Sequence, residues 1–159
     1  MKLIVALGNP GEEYKNTRHD AGFLVADDLS RQKLPRNVVV KKSDVFMNES
    51  GNFVKKMVEK YKLKPENLFV LHDDLDIHLG EYKIQLGHGP RDHNGIKSID
   101  QDLGTDEYWH VKIGIDNRPQ DGRTMGIEYV LQNFTDEERT VLDGAIKAAV
   151  KDLCKKLAT

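Results

Sequence analysis

Hydrophobic positions along the chain follow two periods. KLIVAL (Lys2–Leu7) is a nearly unbroken apolar run ending at Gly8, the pattern of a strand buried on both faces. Ala21, Val25 and Leu29 then recur every four residues, which predicts an amphipathic helix from about Asp20 to Gln32. Val38–Val40 predicts a short strand, and Val54, Met57, Val58 and Tyr61 predict a second helix that Pro65 closes off from the next segment. LFVLH (Leu68–His72) reads as another buried strand, while Glu81–Leu86 and Trp109–Ile115 alternate as half-buried strands do. Asn94 reads as the cap of a helix from Ile96, and Thr135 with Glu138 forms a capping box opening a helix whose apolar face is Leu142, Ala145, Ala149 and Leu153. Strands alternating with helices predict an α/β fold: a single-domain three-layer sandwich over residues 1–159, with a mixed twisted sheet and helices on both faces.

Composition narrows the function classes. A chain of 159 residues suits one domain, and with 38% hydrophobic and 31% charged residues it has the profile of a soluble globular protein. No apolar run approaches the ~18 residues of a membrane span, and the apolar N-terminus is too short for a signal-peptide core. A monomeric cytoplasmic protein is the expectation. The lone Cys154 falls in the last helical pattern, as a packed thiol rather than a disulfide partner or nucleophile. A net charge of −2 exerts no global pull on nucleic acid, so any RNA contact needs a local basic patch.

Three polar clusters interrupt the pattern where strands give way: GNPGEEY with TRH after the first strand, HDDLD after the third, and GHGPRDHNG after the fourth. Ligands of open α/β sheets bind outside the carboxyl ends of the strands, so the clusters can converge on one cleft. Taken singly, each has a plain structural reading. GNPG is a turn by composition and lacks dinucleotide-loop spacing. His19 suits a helix start, HDDLD a solvated turn, and Asn48 a cap for the Val54 helix. His72, Asp76 and His78 are close in sequence but match no recognised metal-ligand spacing.

Together, LGNPGEEYKNTRHDAGF, FMNESG, HDDLDIHLG and DHNG, followed by LGTDEYWHVKIGI and YVLQNFTDEE, resemble the bacterial-type peptidyl-tRNA hydrolase family over nearly the whole chain. That resemblance implies hydrolysis of the ester joining a peptide, or an N-blocked aminoacyl group, to the 3′-terminal ribose of tRNA, recycling the tRNA. It implies no metal and no organic cofactor. His19 is then the base that activates water, since an imidazole titrating near 6.5 can take and return a proton at neutral pH. Asp73 orients its ring. Asn9 helps discriminate blocked from free aminoacyl groups, and Asn48 and Asn94 bind substrate and water. Tyr14 and Phe46 line the pocket for the tRNA end, where rings can stack on adenine.

The chain also departs from the family pattern. Asp20 stands where the pattern has Asn, adding a negative charge that favours protonated His19 if it lies close. The glycine-rich loop before HNG is altered to His88, Pro90, Arg91 and Asp92. A phosphate-contacting Lys becomes Gln85, its companion basic position being kept as Lys112. The segment between Ser30 and Phe46 is short enough to lack a strand or hairpin. An alternative of a different class arises from these changes: an RNA-binding or assembly module on the same fold, with weak or no turnover.

Overall fold

A computed structural model describes residues 1–159. The strands are β1 (Lys2–Ala6), β2 (Val38–Lys42), β3 (Leu68–His78), β4 (Tyr82–Leu86) and β5 (Trp109–Asp116). The helices are α1 (Ala21–Leu29), α2 (Ser50–Lys60), α3 (Asn94–Leu103), α4 (Gly126–Val130) and α5 (Asp136–Leu157). The sheet order is β2-β1-β3-β5-β4, parallel except for β4, which runs antiparallel to β5. No helix is long and apolar enough to cross a membrane.

The period-two alternation of β1 divides the core. Leu3, Val5 and Leu7 pack with Leu68 and Val70 against Val54 of α2 and Ile96 and Ile99 of α3. Ile4 and Ala6 face the other way, with Phe69, Leu71 and Ile113, toward Val25 and Leu29 of α1 and Leu142, Ile146 and Leu153 of α5. The sandwich expected from the sequence is therefore present, with two helices on each face. The capping box opens α5 as expected, Thr135 and Glu138 each accepting from the other's backbone N–H.

Three local expectations are corrected. β3 does not end at His72 but continues through Asp73 and Asp74 to His78, because β5 supplies backbone partners as far as Gly114 and, past a register irregularity, at Asp116, and the carboxylates find partners of their own. The cap of α3 is His93 rather than Asn94: its Nδ1 accepts the Ile96 N–H at 3.2 Å. Asn48 caps nothing, since it lies inside a 3-10 turn (Met47–Glu49) that runs directly into α2. Between Ser30 and Phe46 the one regular element is β2.

Topology and one close contact place the site. From β1 the chain goes outward to β2, then returns to β3 on the other side of β1, and a crevice opens at such a switch point between the strand ends. Asn9 follows β1 and Asp73 lies beyond the Leu71 that pairs with Ala6. At Gly22, a Cβ would lie 2.4 Å from the Leu71 carbonyl oxygen and 2.9 Å from that of Leu7. Only glycine lets α1, and the turn holding His19 just before it, sit this close to the strands.

Candidate active site

A cleft of about 780 Å³ opens at these strand ends. Asn9, His19, Phe46, Asn48, Asp73 and Asn94 line it, so the three sequence clusters meet there. His19 sits in a 3-10 turn (Arg18–Asp20) between β1 and α1. Its neighbour Arg18 anchors that turn: the guanidinium donates to Glu138 Oε1 at 2.8 Å and to the Tyr129 carbonyl at 3.0 Å, and lies 3.8 Å from the centre of the Tyr129 ring. Since Glu138 is part of the α5 capping box, the turn is tied to the start of the longest helix.

Asp73 is buried, with both oxygens committed. Oδ2 accepts from His19 Nδ1 at 2.8 Å and Oδ1 from His93 Nε2 at 2.8 Å. The tautomers follow from the partners. His93 accepts the Ile96 N–H at Nδ1, so its ring proton is on Nε2, facing Asp73. His19 carries its proton on Nδ1, also facing Asp73, which leaves the Nε2 lone pair without a protein partner on a ring that lines the cleft. Burial would push the Asp73 carboxyl up, but His19 and His93 outweigh it and hold it far below the usual carboxylate range. For His19, burial disfavours the imidazolium, yet Asp73 and then Asp20 prevail and its pKa lies above 6.5. The His19 and His93 rings are 4.9 Å apart, centre to centre.

Asn9 is oriented by its neighbours. Its backbone N–H donates to Asp20 Oδ1 at 2.7 Å and its Oδ1 accepts the Met47 N–H at 2.8 Å. Its amide Nδ2 is left as an uncommitted donor. Asn48 and Asn94 are exposed on the cleft wall. Phe46 lines the cleft and is 49% exposed, whereas Tyr14 is half-buried behind it, edge-on at 6.1 Å, and does not line the cleft. Lys112 lies elsewhere. It is 6% exposed on β5, its ammonium donating to Gln85 Oε1 at 3.1 Å and to the His88 carbonyl, so it braces the 87–92 loop and reaches a phosphate only if that loop lets go.

Two parts of the site lie outside the sequence expectations. His93 is masked within HNG, where the asparagine reads as the cap. The second is the apolar cleft edge formed by Met125, Ile127 and Leu131, with Ile127 67% exposed. Exposed apolar residues near a helix of five residues leave no periodic signal. Of metal-ligating groups, His19, Asp73 and His93 bring their ligand atoms within 4.8 Å of one another, but a cation there would have to displace both 2.8 Å hydrogen bonds. His72, Asp76 and His78 do not gather: His72 is buried, bonded to the Asp73 carbonyl and His110, while Asp76 and His78 are exposed along β3.

Comparison with known proteins identifies the family. The family model described as peptidyl-tRNA hydrolase matches residues 3–159. A peptidyl-tRNA hydrolase of Neisseria meningitidis is 38% identical, covering 99% of this chain and 91% of its own. One from a Sulfurihydrogenibium species is 40% identical over 94% of this chain and 87% of its own. The crystal structure of the peptidyl-tRNA hydrolase from Acinetobacter baumannii superposes with a TM-score of 0.81 at 28% identity, covering 99% of this chain and 92% of that one. With residues 3–159 matched by the family model and relatives at 38–40% identity aligned over nearly all of its length, the chain belongs to the peptidyl-tRNA hydrolase family.

Proposed function

We propose that the chain, acting as a single monomeric domain in the cytoplasm, cleaves peptidyl-tRNA at the ester to the 3′-terminal ribose, with His19 as general base. Ester hydrolysis of peptidyl-tRNA follows from family membership; the roles of the residues are inferred from the site. The observation that carries the reading is the free Nε2 of a ring whose Nδ1–H is held by Asp73 at 2.8 Å. Nε2 takes a proton from water, the oxygen attacks the ester carbonyl carbon, and the imidazolium returns the proton to the departing ribose oxygen. Asp73 stabilises the imidazolium while it exists, and His93 acts as a positioning residue by holding the second carboxylate oxygen.

The uncommitted amide of Asn9 supplies selectivity. Its Nδ2–H donates to an acyl oxygen that an N-blocked substrate carries and a free aminoacyl group lacks. Asn48 and Asn94 offer further neutral hydrogen bonds for substrate and water. Phe46, with Tyr14 packed on its edge, provides a face for the terminal adenine, and the Met125, Ile127, Leu131 edge suits peptide side chains of varied sequence. The retained pairing of His19 with Asp73 favours turnover over a binding-only module, which has no use for a correctly protonated base. His19→Ala tests this in single-turnover hydrolysis of an N-blocked aminoacyl-tRNA: the rate is expected to fall by roughly 10²–10⁴ with binding retained. Equal rates would remove His19 from the mechanism.

A further inference from the structure

Asp20 is 1% exposed and sits one residue from His19 in the same turn. Its two oxygens are not equivalent. Oδ1 accepts the Asn9 N–H at 2.7 Å, whereas Oδ2 is buried without any partner. An ionised carboxylate needs hydrogen bonds on both oxygens to tolerate such burial, and here the bare one has none. Protonation at Oδ2 neutralises the group without disturbing the bond at Oδ1.

The charged and titratable surroundings are few. His19 belongs to the same turn, Asp73 lies on β3, and Lys42 ends β2, its ammonium already paired with Asp27 of α1; on the far side of His19 the His93 ring lies 4.9 Å away, its Nε2 on Asp73 Oδ1. Arg18, the other charged member of the turn, is committed to Glu138. The pull of two histidines keeps Asp73 ionised far below neutral pH, and the titrating group that shares the turn with Asp20 is His19.

We propose that Asp20 is a positioning residue that sets the pH at which His19 becomes a base: it holds a proton on Oδ2, and the Asp20 and His19 protons leave as a coupled pair. Loss of the first proton, which can come from either group, yields two forms. One has neutral Asp20 and neutral His19 and is ready to activate water. The other has ionised Asp20 beside an imidazolium and is not. Only loss of the second proton to solvent makes every molecule competent. Such pairs titrate in two macroscopic steps that belong to neither residue alone. The burial of Asp20 agrees with this, pushing its carboxyl up to about 7 against the opposing pull of the Asn9 N–H and His19.

The consequence for catalysis rests on His19 being the base; the coupling itself does not. The experiment uses the full chain and Asp20→Asn, which keeps the acceptor for the Asn9 N–H and removes the ionisation. NMR follows the His19 ring carbon–proton signal across pH, and hydrolysis of an N-blocked aminoacyl-tRNA gives the kcat/KM profile. The expected result is a broad or two-step wild-type titration, replaced in Asp20→Asn by a single step lower by about half a pH unit or more, with the acid limb of kcat/KM moving by the same amount. A ring signal that shifts in a protein with no hydrolysis supports the coupling and overturns the proposed activity. Ring titrations agreeing within about 0.2 unit overturn the coupling, whatever the activity. If Asp20→Asn does not fold, the wild-type curve decides alone: a single-site His19 titration overturns the proposal.

Discussion

Asp73→Asn perturbs the centre of the site with hardly any change in shape, and the structure says which histidine suffers. An amide can accept through one atom only, offering NH₂ at the other. His93 cannot reverse its tautomer, because the Ile96 N–H already occupies its Nδ1. The new amide therefore turns its oxygen to His93 and its NH₂ to His19. Facing a donor, His19 must accept at Nδ1 and carry its proton on Nε2, where it has no lone pair for water. The stabilisation lost from the imidazolium is that of one charge-assisted hydrogen bond at 2.8 Å, about 2–3 kcal/mol, or roughly 30–150-fold in rate at 1.36 kcal/mol per tenfold. The tautomer reversal pushes the loss toward the upper end. The assay is single-turnover hydrolysis of an N-blocked aminoacyl-tRNA at saturating enzyme, which separates the chemical step from binding. A variant within threefold of wild type would refute the reasoning, and so would a loss carried wholly by weaker substrate binding.

Three further predictions extend to other parts of the molecule. Lys112→Met should leave the salt dependence of tRNA binding unchanged while making the 87–92 loop more sensitive to limited proteolysis; a salt slope flatter by about one counterion would instead make Lys112 a phosphate contact. Asp20→Asn should raise stability more at alkaline than at acid pH. The carboxyl moves from 3.8 to about 7 on folding, so wild-type stability drops by about 1.4 kcal/mol per unit as pH rises between those values and no further above them. Thermal unfolding near pH 5 and pH 8 checks this, and an equal gain at both would contradict it. Dialysis against a strong chelator should leave hydrolysis unchanged, the nitrogens facing Asp73 being engaged in hydrogen bonds; activity lost and then restored by Zn²⁺ would make His19, Asp73 and His93 a metal site.

The sequence by itself determined the elements and the chemistry they carry. Unbroken apolar runs at Leu3–Leu7 and Leu68–Leu71, four-residue spacing at Ala21, Val25 and Leu29, and the capping box at Thr135 and Glu138 are local signals, because strand pleat and helix pitch act over neighbouring residues. The ordered motifs likewise made His19, Asp73 and the three asparagines candidates for one cleft, since strand ends converge in an open parallel sheet. What only the tertiary structure decided depends on partners remote in the chain. Asp73 and Asp74 read as a turn because acids usually seek water, but β5 and two histidines keep them in a buried strand. Lys112 is expected from the family resemblance to be a basic position toward tRNA phosphate, but in the fold Gln85 and the His88 carbonyl take its ammonium. His93 gains its role from an aspartate 20 residues away and Arg18 from a glutamate 120 residues away. Hydrogen bonds and burial at such separations leave no periodicity to read, and they alone determine whether a titratable side chain becomes a base, a brace or an acid that keeps its proton.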